Sequence, residues 1–110
     1  MIEKIILDYL ISKKLNVFME QPKVKPESFY LIQKTAGGET NKVRTSTIAI
    51  QSYAESLYNA SLMNEIVIDT MLEMVELDGI SRVELNSNYN FTDPTTKQYR
   101  YQAVFVVTHY

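Results

Sequence analysis

Residues 42–77 read KVRTSTIAIQSYAESLYNASLMNEIVIDTMLEMVEL, and their hydrophobic rhythm changes part-way. Over residues 42–53, Val43, Thr45, Thr47 and Ala49 alternate with Arg44, Ser46, Ile48 and Ile50. That alternation, rich in β-branched side chains, predicts a strand. From residue 55 to residue 77 the repeat becomes helical. Ala60, Met63, Val67, Met71 and Met74 share one stripe, and Leu57, Ile66, Ile68, Leu72 and Val75 flank it. Glu65, Asp69, Glu73 and Glu76 form an acidic ridge on the opposite side. Asp78-Gly79 stops the helix, with Gly79 as the left-handed cap residue.

Upstream, residues 28–35 predict a second strand, with Phe29 and Leu31 on one face and Tyr30 and Ile32 on the other. The stretch 36–41, AGGETN, reads as the turn that joins it to residues 42–53, because glycines accept positive φ at little cost. The region nearest that turn is polar on both faces, so the hairpin is expected to project beyond the core. At the start, Ile2, Ile5, Ile6, Tyr9 and Leu10 give an amphipathic helix, with Lys13 and Lys14 suited to its C-terminal turn. A short extended piece follows at 17–20, then Pro22 and Pro26 bracket a charged turn. Downstream come a strand at 80–87 with Val83 and Leu85 inward and a polar loop at 88–97. The final strand, 98–110, turns Tyr99, Tyr101, Ala103, Phe105 and Val107 one way. This order predicts an α+β fold. Residues 1–110 form a single domain, a mainly antiparallel sheet of four to five strands with two helices packed on one face.

Composition narrows the chemistry. The 110 residues contain no cysteine and one histidine, so neither a disulfide framework nor a thiolate nucleophile is possible and a transition-metal site lacks ligands. The formal charge of −2, with dispersed lysines and arginines, offers no footprint for duplex nucleic acid. Glu3 and Asp8 interrupt the apolar start, which excludes a signal peptide, and no apolar run reaches membrane-spanning length. A soluble chain made in the cytoplasm is the expectation. Eight tyrosines and four phenylalanines, with no tryptophan, are the unusual feature.

No catalytic, metal or cofactor site emerges. His109 reads as a strand-end side chain at the sheet margin, with no positioned nucleophile in the sequence around it. The acidic ridge lacks the Glu-x-x-His partners of a carboxylate-helix metal site and is expected to be a solvated face or a partner for Arg44, Arg82 or Arg100 of another subunit. Residues 88–93, NYNFTD, alternate oxygen-bearing side chains but lack the glycine and distal glutamate of a calcium loop. Gly37-Gly38 precedes no helix and is no phosphate cradle. Tyr99, Tyr101 and Phe105 invite comparison with a single-strand nucleic-acid platform, but only Lys97 and Arg100 lie near, which favours core packing or a subunit interface. An enzyme would have to use carboxylates and tyrosines alone, such as Glu84 with Tyr89 or Tyr99, and the spacing gives no support.

Gln51-Ser52-Tyr53-Ala54 running into the long helix, together with Asp93-Pro94 and the ending Tyr99-Arg100-Tyr101-Gln102-Ala103-Val104-Phe105, carries a family resemblance. In order and length the whole chain resembles the tail-terminator and tail-completion (head-to-tail joining) proteins of long-tailed bacteriophages and prophages. The resemblance implies a structural subunit that forms a hexameric ring, caps the tail tube and docks to the head connector, with no bond made or broken. It implies the tail-tube and head-connector proteins as partners, and the bacterial cytoplasm and then the virion as location. Within such a ring, Arg44 and Arg100 are expected to meet Glu65, Asp69 or Glu73 of a neighbour. The loop residues Tyr89, Phe91 and Asp93, in a segment taken as 86–98, are expected to order at an interface. A single-stranded nucleic-acid or protein-binding module, or a monomeric assembly factor, is the alternative.

Overall fold

The computed structural model describes residues 2–24, 26–40, 43–95 and 98–110. Helix α1 spans Ile2–Ser12, β1 Val17–Phe18, β2 Phe29–Thr40, β3 Val43–Ala54, α2 Leu57–Glu73, β4 Ile80–Asn90 and β5 Tyr99–His109. The five strands form one sheet in the order β1-β2-β3-β5-β4, antiparallel except for the β1–β2 pair. Both helices lie on the same face of it. This is the α+β arrangement expected.

Local chemistry sets the helix ends. α1 closes with Lys14 in the left-handed region at φ 66°, while the Leu15 amide reaches back to the Leu10 carbonyl at 3.1 Å. That pairing is a Schellman closure with lysine where glycine is usual. α2 begins two residues later than the periodicity indicates, because Ser56 adopts extended backbone and its Oγ accepts the Asn59 amide at 3.1 Å. Its far end tightens into a 3₁₀ turn, Met74–Glu76, before Gly79 turns the chain at φ 87°.

The covered face holds the main core. Ile2, Ile6 and Leu10 of α1, Val67 and Met71 of α2 and Met74 of the 3₁₀ turn pack on Tyr30, Ile32, Ile48, Ile50, Ala103, Phe105 and Val107. The helical stripe predicted on α2 is buried at Ala60, Val67, Met71 and Met74, but Asn64 joins it and Met63 moves to its flank. Two phenols pin the layers together. Tyr9 of α1 donates to the Thr70 carbonyl at 2.9 Å, and Tyr30 of β2 donates to the Met63 carbonyl at 2.9 Å. Each phenol thereby ties a carbonyl of α2 to a different element.

Burial pushes the Tyr30 phenol up to about 12 and raises that of Tyr9 as well, with Glu73 and Glu76 adding to the latter. An unfolded tyrosine titrates near 10, so between about pH 10 and 12 the unfolded chain gives up a proton that folded Tyr30 keeps. The stabilisation is complete below pH 10 and is lost as pH rises through 12. Urea unfolding across this window is expected to show falling stability, and Tyr30→Phe is expected to flatten most of the slope. An unchanged slope in the variant would remove Tyr30 as its source.

Two sequence boundaries need correction. Gly37 and Gly38 do not turn the chain; neither has positive φ, and they pair with Ser46 and Thr45 inside the ladder. The ladder continues through Glu39↔Arg44 and Thr40↔Val43, and the remainder of the expected 36–41 turn, residue 41, lies outside the described residues. The register shifts between Lys34 and Ala36, as at a bulge, and a side chain on Gly37 would press on Lys34, whose Cε lies 3.0 Å from the Cβ position. Likewise, residues 86–90 of the predicted 86–98 loop are strand, while its residues 96 and 97 lie outside the described residues. β4 runs to Asn90 because Asn88, Tyr89 and Asn90 pair with Ala103, Gln102 and Tyr101.

Candidate interaction surface on the open sheet face

Among the described residues no helix packs on the second face of the sheet. There, strand alternation places Phe29 and Leu31 of β2, Ala49, Gln51 and Tyr53 of β3, Arg100, Gln102 and Val104 of β5, and Tyr89 of β4. At one end Phe29 stacks on Tyr53 with centroids 4.6 Å apart and planes 6° from parallel, and Phe18 meets Phe29 edge-on. These rings and Leu31 make a small second core, with Phe18 at its margin.

A hydrogen-bonded chain of side chains crosses the strands from that core. The Tyr53 hydroxyl donates to Gln51 Oε1 at 2.7 Å and accepts from Gln21 Nε2 and Arg100 Nη1, each at 3.1 Å. One donor and two lone pairs are thereby all used. Gln51 Nε2 donates to Gln102 Oε1 at 2.9 Å, and Gln102 Nε2 donates to the Tyr89 hydroxyl. The guanidinium of Arg100 lies 4.6 Å over the Phe91 ring while its Nε donates to the Phe91 carbonyl at 2.7 Å. Tyr89 and Phe91 meet edge-on at 5.9 Å. After the strand, Asn90 Oδ1 and Asp93 Oδ1 accept the amides of Thr92 and Thr95, which folds the connection to β5 into two side-chain-closed turns.

The predicted interface residues thus divide. Tyr89, Phe91 and Arg100 come together on the open face, and Asp93 follows them in the loop. Glu65, Asp69 and Glu73 lie exposed on α2, across the sheet from Arg100, so the two sets do not meet within one chain. Arg44 lies elsewhere again, opposite His109 near the far end of β3. Arg100 already holds intrachain partners, a constraint the sequence did not reveal. Gln21, Gln51, Tyr53 and Gln102 were not anticipated. Their signal was the odd-numbered face of residues 42–53, where Gln51 and Tyr53 are the bulky members.

Two other sequence readings resolve here. Phe105 is fully buried beneath the helices, so the Tyr99, Tyr101, Phe105 alternation is not a stacking platform. His109 is the last residue of β5, the strand-end position expected, and its side chain is only 7% exposed. Among the described residues no cluster of three or more histidines and carboxylates is arranged to hold a metal ion. Nor, among the described residues, is any helix long and apolar enough to cross a membrane. An array of amides, phenols and one guanidinium held at fixed spacing supplies directional hydrogen bonds and ring faces, which is the chemistry of recognition. No protein-family model matches the sequence, and comparison with curated proteins finds no match.

Proposed function

We propose that this chain is a structural subunit of the phage tail-terminator or head-tail joining kind, which assembles into a ring capping the tail tube. The observation that supports this reading is the unlike character of its two outer surfaces. α2 turns Leu57, Leu62, Ile66 and Leu72 outward among Glu65, Asp69 and Glu73, with Val75 just beyond it. The opposite surface is the open sheet face with its aromatic rings and Arg100. An apolar and acidic surface on one side and an aromatic surface carrying a cation on the other fit a heterologous contact, the kind that forms a ring when its rotation closes. Assembly would take place in the bacterial cytoplasm, against tail-tube and head-connector proteins, and end in the virion.

Light scattering behind size-exclusion chromatography, over a concentration series, tests this. The expected result is a discrete closed species of about six subunits, visible as rings by electron microscopy. A monomer at every concentration, both alone and with tail tubes added, would overturn the proposal.

A further inference from the structure

At the hairpin end the sheet runs past the helices, and the covered face changes character. Lys34 of β2, Arg44 and Ser46 of β3 and His109 of β5 line a cleft of about 510 Å³, with Gly37, Gly38 and the first turn of α1 closing its sides. Ser46 Oγ and His109 Nε2 are 2.9 Å apart, and Ser46 is 2% exposed. A buried hydroxyl and imidazole facing a solvent-open cleft with two cations on its wall are not needed to fill a core. Valine at both positions would serve packing better. Gly37 adds to the arrangement, because the Lys34 stem lies across the space its Cβ would take.

We propose that this cleft binds a compact oxyanion of the phosphate class. The ammonium of Lys34 and the guanidinium of Arg44 supply the charge. The buried Ser46–His109 pair, in which one group donates to the other, supplies a polar floor that a dianion can engage without displacing any apolar contact. Among the described residues that line the cleft, Glu3 is the one carboxylate, and it works against an anion. Burial, with Arg44 and then Lys34 adding to it, lowers the pKa of His109 from its usual value, so the empty cleft holds a neutral imidazole. An anion seated between these groups offsets both cations and favours the imidazolium.

His109 is the only histidine in the chain, so its imidazole proton resonances report on the cleft directly by NMR. Titration with inorganic phosphate, against chloride at matched ionic strength, is expected to shift those resonances saturably and move the His109 midpoint up by about one pH unit. Lys34→Ala is expected to weaken phosphate binding about tenfold, and Glu3→Gln to strengthen it. Lys34 is exposed and Glu3 half-buried at the helix start, and neither belongs to the apolar core, so both variants keep the fold. An equal shift from chloride, no saturation, or full retention of binding in Lys34→Ala would each overturn the proposal.

Discussion

Phe105→Ala is expected to lower the unfolding free energy by about 3–5 kcal/mol, the range for removing a fully buried ring from a core that cannot collapse around the gap. Phe105 has no exposed surface. It sits in the third of four fully laddered strands, opposite Ile48 of β3 and Leu85 of β4. It belongs to the cluster that α1 and α2 close from above. Backbone pairing on both sides holds its walls apart, so the hole left by alanine stays open. Against a total stability of roughly 5–15 kcal/mol for a domain of this size, the variant stands near the threshold of folding. Urea unfolding measures it as a large fall in midpoint at constant slope.

The control is Val104→Ala, one residue earlier on the open face, where the side chain is only half-buried. Its expected cost is below about 1 kcal/mol. Strand faces exchange completely with a register slip of one residue, so this contrast also tests the face assignment. Equal losses at the two positions would mean that the open face is covered after all.

Asp69→Lys is expected to abolish ring formation while leaving the folded subunit intact. Asp69 is exposed on α2 between Glu65 and Glu73, one helical turn from each. Like charges at that spacing repel by a few tenths of a kcal/mol, so lysine there relieves the isolated helix. Thermal unfolding of the monomer should therefore move little. At an interface that brings the ridge against a neighbour's cations, the same change replaces attraction with repulsion. Reversing one member of a close charge pair costs about 2–5 kcal/mol, more than tenfold in each contact, and a ring multiplies the loss over its interfaces. Light scattering on the variant measures it. Intact assembly would remove the ridge from the interface, and a lowered melting temperature would show a role within the subunit instead.

The parts of the fold legible in the sequence are those where periodicity and burial agree. The α2 stripe and the inward row of β5 follow from side-chain spacing alone, because each element buries one face. Legibility failed where two local signals conflict. Gly37-Gly38 carries turn chemistry, but cross-strand pairing with Ser46 and Thr45 outweighs it and the hairpin runs on. Asn88 and Asn90 carry loop chemistry, yet β5 offers them a complete ladder. The open-face network was hidden for a different reason. Gln51, Gln102 and Tyr89 are far apart in the chain, and only the strand order β3-β5-β4 brings them into one row.

That strand order also bears on how the protein is made. β5 is the last strand in the chain and lies between β3 and β4, so it is needed by both. Until residues 99–109 leave the ribosome, the nascent chain presents β3 and β4 as two unmated edges. α2 has only part of the surface it later covers. Sheet closure then depends on pairing between distant segments, a slow kind of step. A translating chain is thus exposed to edge-to-edge association until its final strand arrives, and ribosomal pausing ahead of residue 99 would lengthen that exposure.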